Sequence, residues 1–224
     1  MNPAPVRVQH FSDILCVWAY AGQIRVDELQ ATFGDMISLD CHFIDVFGDT
    51  AGKISSAWGE RGGFAGFAAH VQATARQFDH VRVHPELWTR EVPASSLSCH
   101  VFLRAVKLVE DDAGPADAFR HAIWAVREAF FRDLVDISRR SAQLEIADAL
   151  GLDTAAIAAG IDSGRAHAAL SGDHALARAQ DIRMSPAILL NDGRQQLRGN
   201  VGYRVLEANV RELLHNPAVE ASWC

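Results

Sequence analysis

A chain of 224 residues, 49% hydrophobic and 22% charged, can bury one substantial core, or one domain that carries a large insertion. Its formal charge of −7 is offset by no basic stripe, which excludes nucleic acid as the main partner. Nothing approaches 18 uncharged apolar residues in a row, so neither a membrane span nor a membrane partner is expected.

Residues 1–7 carry no basic segment followed by an apolar stretch and a cleavage site, which points to the cytoplasm, where thiols stay reduced. Val6 to Phe11 alternates as a strand does. Val17 to about Phe33 is helical and ends at Gly34. Ile37 to Val46 reads as a second strand, closing a β-α-β unit with a right-handed crossover. Glycines at 48, 52, 59, 62, 63 and 66 mark a loop, followed by a helix over 67–78 and a short extended piece over 81–85.

From Ser95 to about Ala179 strand signals vanish. Helices are expected over roughly 97–110, 116–131, 138–150, 153–161 and 165–180, with breaks at residues 112–115 and 151–153. Asp153 suits the N-cap of the fourth. Strand chemistry returns with Ala187 to Leu190, the turn Asn191-Asp192-Gly193 and Gln195 to Arg198, an antiparallel hairpin. Asn200 is placed to cap a last helix through Leu214, and residues 216–224 are expected to form a poorly ordered tail.

The four cysteines, Cys16, Cys41, Cys99 and Cys224, are widely spaced and form no C-x-x-C pair or zinc-ligand pattern. A disulfide framework is not expected, and neither is a metal site: His80 and His84, or His42 and His10, lack ligand partners at suitable spacing. Cys16 stands where a strand gives way to a helix. Unpaired amides and a positive dipole end favour an anion there, so its thiol is expected to have a lowered pKa. Ala19 occupies the position where a dithiol would close. The chemistry implied is that of a one-cysteine redox site.

The order β-α-β, helical insertion, β-β-α is that of a thioredoxin fold with helices inserted before its second half. Asp13-Ile14-Leu15-Cys16-Val17-Trp18-Ala19, Ser95-Ser96-Leu97-Ser98-Cys99-His100 and Arg183-Met184-Ser185-Pro186-Ala187-Ile188 follow in family-like order and spacing. On these, the chain resembles the DsbA-like family, particularly its cytoplasmic branch of FrnE-type oxidoreductases, 2-hydroxychromene-2-carboxylate isomerases and kappa-class glutathione transferases. The resemblance covers residues from about 6 to 214. It implies an α/β thioredoxin-like unit from residues 1–90 and 181–215, with a helical domain inserted over 95–180.

The same resemblance implies that Cys16 is the nucleophile. Met184, Ser185 and Pro186 would form a substrate-facing cis-proline loop, and Trp18 either a wall beside the thiol or plain core packing. His100 would lie over the site, as a structural histidine or one tuning Cys16. Cys99, where relatives tend to carry alanine, is either a buried filler or a resolving thiol. Cys41 reads as core, and Cys224 as a terminal thiol able to reach a neighbour or Cys16. Glutathione is implied as a co-substrate, with no tightly bound cofactor, and a homodimer as the assembly, since relatives often dimerise. Two departures stand out: Val17 replaces the usual proline, and Ala19 the resolving cysteine.

Three functions follow. The first is a thiol-disulfide oxidoreductase acting on protein or small-molecule thiols through a mixed disulfide at Cys16. The second is a glutathione-dependent isomerase or transferase on a small aromatic substrate, although relatives of that kind usually carry serine at the Cys16 position. The third is a thioredoxin-fold binding or chaperone module whose redox activity was lost with Ala19.

Overall fold

A computed structural model describes residues 4–113 and 116–216. The tail over 217–224 with Cys224, and the centre of the break at 112–115, lie outside the described residues.

The chain opens with β1 (Val6–Ser12), α1 (Val17–Phe33) and β2 (Ile37–Phe43). β1 and β2 are parallel, with Val6 opposite Ile37 and Ser12 opposite Phe43. The hairpin β3 (Ala187–Leu190) and β4 (Gln195–Arg198) adds to the other side of β1, both pairings antiparallel, for a sheet order β2-β1-β3-β4. Val6 and Val8 bury one face of β1 against Val26, Leu29 and Phe33 of α1 and against Leu206 and Val210 of the last helix, α9 (Tyr203–His215). Phe11 faces the opposite way, toward Ala177 and Ile182. β1 is thus covered on both faces, which fits its central place.

The glycine-marked segment is not a loop. It forms α2 (Thr50–Trp58), one 3-10 turn (Gly59–Arg61) and the start of α3 (Gly63–Ala75). Two of its glycines serve close approach. The Asp49 carboxylate caps α2 by accepting from the Gly52 amide at 3.0 Å, and a Cβ on Gly52 would lie 2.2 Å from its Oδ2. A Cβ on Gly66 would meet the Arg61 carbonyl oxygen at 1.8 Å. Residues 81–85 form no strand either; the His84 amide donates to the Phe131 carbonyl at 2.6 Å and pins the segment to the inserted helices.

Those helices are α4 (Leu97–Ala113), α5 (Ala118–Phe131), α6 (Arg140–Ala149), α7 (Thr154–Asp162) and α8 (Arg165–Ala179). Asp153 caps α7, accepting from the Ala156 amide at 2.9 Å. Phe102, Phe130 and Phe131 are fully buried, each contributing roughly 1.5–3 kcal/mol of apolar burial. One continuous apolar cluster runs from Cys16 and Tyr20 through Phe43 and Phe47 to Phe102 and Ile157. Asn200 does not cap α9; Gly202 holds the N-cap position, and Asn200 Oδ1 instead accepts from Arg25. No helix among the described residues is long and apolar enough to cross a membrane.

Candidate functional site

β1 delivers Ser12 and Asp13 to the top of the sheet, and a tight turn, closed by the Cys16 amide on the Asp13 carbonyl at 3.1 Å, delivers Cys16 to the start of α1. Cys16 is the N-cap residue in extended conformation, and its side chain caps nothing. Its Sγ points to the loop before β3, donating to the Ser185 main-chain carbonyl at 3.3 Å. The bond that follows, Ser185–Pro186, is cis. The Ser185 hydroxyl accepts from the Asp13 amide at 2.9 Å, so one residue holds both the thiol and the end of β1.

The thiol does not have the lowered pKa expected of a helix start. Burial pushes it above its ordinary value. The Ser185 side chain and the amides of Ala19 and Trp18 pull it down, while the Asp13 carboxyl adds to the rise. The positive end of α1 is present, but with only 7% of the residue exposed, desolvation outweighs it.

Beneath Cys16 lies Asp13, fully buried. Its Oδ1 accepts from the Leu15 amide at 2.9 Å, and its Oδ2 from the Phe47 amide at 2.7 Å and the Ser96 hydroxyl at 2.9 Å. Burial nonetheless raises its pKa to about 6. His100 stands 3.7 Å from Asp13 Oδ1, yet the two form no ion pair. Its Nε2 accepts the Ile14 amide at 3.1 Å, and burial holds the ring well below its usual pKa, so it is neutral. The proton therefore sits on Nδ1, which has no partner among the described residues, and the ring stacks on Phe43.

Arg127 enters the same region from α5. It is fully buried, donating through Nη1 to Gln23 Oε1 and through Nη2 to Ser12 Oγ at 3.1 Å. Burial lowers its pKa to about 10, against the charges of Cys16, Cys41, Asp27 and Asp13, which hold it up. A buried cation thus lies within electrostatic reach of the Cys16 thiol. Its field acts in low dielectric, where it is screened far less than at a surface.

Of the residues singled out from the sequence, Cys16, Ser185, Pro186 and His100 converge on the β1–α1 turn. Trp18 is half-buried, with its ring edge-on to Phe78 at 6.2 Å and tilted against His70 at 6.4 Å. Met184 is 45% exposed. Cys99 is fully buried, and burial pushes its thiol strongly up, which makes it a poor nucleophile at neutral pH. Cys41 is half-buried, its thiol raised to about 11, again by burial. Asp13, Ser96 and Arg127 were not among the expected site residues. Arg127 carried a signal: it stands one turn from Ile123 and Phe130 and beside Val126, on the apolar side of its helix. Among the described residues, no group of three or more His, Cys, Asp or Glu could hold a metal ion.

The family model for the DSBA-like thioredoxin domain matches residues 7–211. None of the curated proteins compared resembles the chain significantly in sequence. Among solved structures, a protein disulfide isomerase candidate from Nitrosomonas europaea is similar with a TM-score of 0.76 at 11% identity, over 96% of this chain and 100% of the other. The cytosolic disulfide reductase DsbM from Pseudomonas aeruginosa gives 0.67 at 16% identity, over 92% and 98%. That reductase has also been solved with GSH, a form that matches at 0.64 and 16% identity, over 92% and 99%. A 2-hydroxychromene-2-carboxylate isomerase gives 0.62 at 17% identity, over 96% and 100%.

Proposed function

The chain belongs to the DSBA-like thioredoxin family, and from that premise we propose that it is a thiol-disulfide oxidoreductase with a single reacting cysteine, Cys16, acting in the cytoplasm with glutathione as co-substrate. The observation that carries this reading is the contact of Cys16 Sγ with the Ser185 carbonyl, which aims the thiol at the loop beside the cis peptide bond. There, backbone polar groups can hold an extended sulfur-bearing substrate.

The Cys16 thiolate attacks a disulfide sulfur, forms a mixed disulfide and expels the other sulfur as a thiolate. With Ala19 three residues on, no local thiol releases that intermediate. A glutathione thiolate then attacks the sulfur partnered to Cys16, regenerating the Cys16 thiol. With a glutathionylated substrate, one glutathione thiol and the substrate's mixed disulfide become one free substrate thiol and one glutathione disulfide. Glutathione is a better resolving agent than Cys99, whose thiol is buried and strongly raised. The description of the Pseudomonas relative as a cytosolic disulfide reductase, solved with GSH, supports the same assignment.

The raised Cys16 pKa favours a second reading, glutathione-dependent isomerisation. A thiol that stays protonated can donate a hydrogen bond to a glutathione thiolate, as a serine would at that position. Intact-mass measurement after incubation with oxidised glutathione separates the two. A glutathione adduct on wild type and on Cys99→Ser, absent from Cys16→Ser, supports the redox reading. No adduct at Cys16, with glutathione binding that survives Cys16→Ser and turnover of an aromatic substrate, supports the isomerase.

A further inference from the structure

Outside the thiol site, the inserted helices line an open cavity of about 410 Å³ between the starts of α4 and α6 and the body of α8, with His167 and Arg178 at its exposed rim. Two arginines, Arg140 and Arg178, and two histidines, His167 and His174, line it, and no carboxylate does. In a chain of formal charge −7 this concentration of one sign is unusual. Several other arginines are matched: Arg104 with Asp173, Arg132 with Asp133, Arg211 with Glu207. Among the described residues, the side chains of Arg140 and Arg178 have no ion pair or hydrogen bond. Arg140 Nε and His174 Nε2 are buried atoms without a partner. A buried donor left unpaired is destabilising, and a bound acceptor removes that cost.

The backbone adds to the bias. The wall includes Leu97 and Ser98 at the start of α4 and Arg140 at the start of α6, helix ends whose amides and dipole favour anions. Leu97, Val101 and Leu170 supply an apolar side. We propose that this cavity binds a small organic anion. Its carboxylate or phosphate group is held by the Arg140 and Arg178 guanidinium forks, and its apolar body lies against Leu97, Val101 and Leu170.

The site is separate from the cleft at Cys16 but adjoins it. Ser96, which donates to Asp13, immediately precedes Leu97, and His100, which accepts from Ile14, follows one turn later on the same helix. The proposal does not depend on the thiol chemistry.

The test is a titration of the full chain with 2-naphthoate and, separately, inorganic phosphate at fixed ionic strength, following the ring resonances of His167 and His174 by NMR. Saturable shifts with naphthoate, weakened at least about tenfold in Arg140→Gln and Arg178→Gln, are expected. Phosphate saturating more weakly than naphthoate assigns the remainder of the affinity to the apolar body; phosphate binding equally tightly overturns that half of the proposal. Equal binding of the neutral 2-naphthylmethanol overturns the anion half. Non-saturating shifts, the same in wild type and both variants, overturn the whole. Because the shifts are read on wild type first, the result stands even if one arginine variant folds poorly.

Discussion

Asp13 and Asp173 are both buried carboxylates that join a strand end to the inserted helices, but only Asp173 meets a cation in direct contact. Arg104 of α4 grips it with two bonds, Nε to Oδ2 at 2.6 Å and Nη2 to Oδ1 at 2.5 Å, while His42 Nδ1 lies 2.8 Å from Oδ1 and the Phe43 amide donates to Oδ2 at 3.0 Å. Asp13 is surrounded by three donors, all of them neutral: the Leu15 amide of its own turn, the Phe47 amide and the Ser96 hydroxyl. The difference is in charge, not in hydrogen bonding. Asp173 is a compensated ion whose task is to hold α8 and α4 to β2. Asp13 has a pKa of about 6 and sits in the turn that carries the thiol. A fold can use one type of side chain as a clamp and as a proton store by deciding where the guanidinium goes.

The largest effect should come from breaking the clamp. Arg104→Ala leaves Asp173 without its cation and should cost about 3–5 kcal/mol, seen as a lower urea midpoint at pH 7. A loss below about 1 kcal/mol would mean that water replaces the guanidinium and that the pair is not the fastening described here.

Next is the pH dependence tied to Asp13. Its folded pKa of about 6 lies above the ordinary 3.8, so the native state holds this proton more tightly than the unfolded chain. The resulting stability is fully present below pH 3.8 and is lost as pH rises through 6, a change of about 3 kcal/mol. His10, lowered to about 3 by burial, acts in the opposite sense, stabilising as pH rises through 6.5. The quantity to measure is therefore the difference between wild type and Asp13→Asn across pH 4 to 8. That difference should slope through pH 6; a flat one would remove Asp13 as the titrating group.

A smaller effect sharpens the link to the thiol. Because charge on Asp13 raises the Cys16 pKa, Asp13→Asn should speed iodoacetamide alkylation of Cys16 at neutral pH several-fold, while Asp173→Asn should leave it unchanged. Equal rates in all three proteins would show that the carboxylate does not act on the sulfur. The smallest effect is the control: Arg90→Ala, which breaks the exposed helical-spacing pair with Glu86, should cost no more than about 0.5 kcal/mol in the same urea assay.

Much of this architecture is legible in the sequence because its signals are local. The parallel β-α-β unit, the hairpin at Asn191-Asp192-Gly193 and the Asp153 cap each follow from spacing and turn chemistry within a few residues. The glycine-rich stretch misleads for a physical reason. Gly52 and Gly66 are required by atoms that approach them, the Asp49 carboxylate and the Arg61 carbonyl, and such closeness leaves no trace in a one-dimensional pattern. The site divides in the same way. Cys16 is identified by where a strand stops and a helix begins. The direction of its pKa is not, because burial is set by β3, α4 and the loop at Ser185, all distant in sequence. Asp13 gains its partners only when Phe47 and Ser96 arrive, and Arg127 reaches Ser12 across 115 positions.

The contact from the Asp13 amide to the Ser185 hydroxyl spans 172 positions, and the thiol's own contact spans 169. A chain emerging from the ribosome makes Cys16 first, 169 positions before Ser185, whose carbonyl the thiol meets. Closing so long a loop is entropically costly, and the insertion must fold in between before the two ends can meet. The contact between the sulfur and Ser185 can form only once the loop before β3 has been made. The protection of Cys16 should therefore report the meeting of two distant parts of the chain, read as the rate at which a thiol label added during refolding loses access to Cys16 in a variant whose other cysteines are serine.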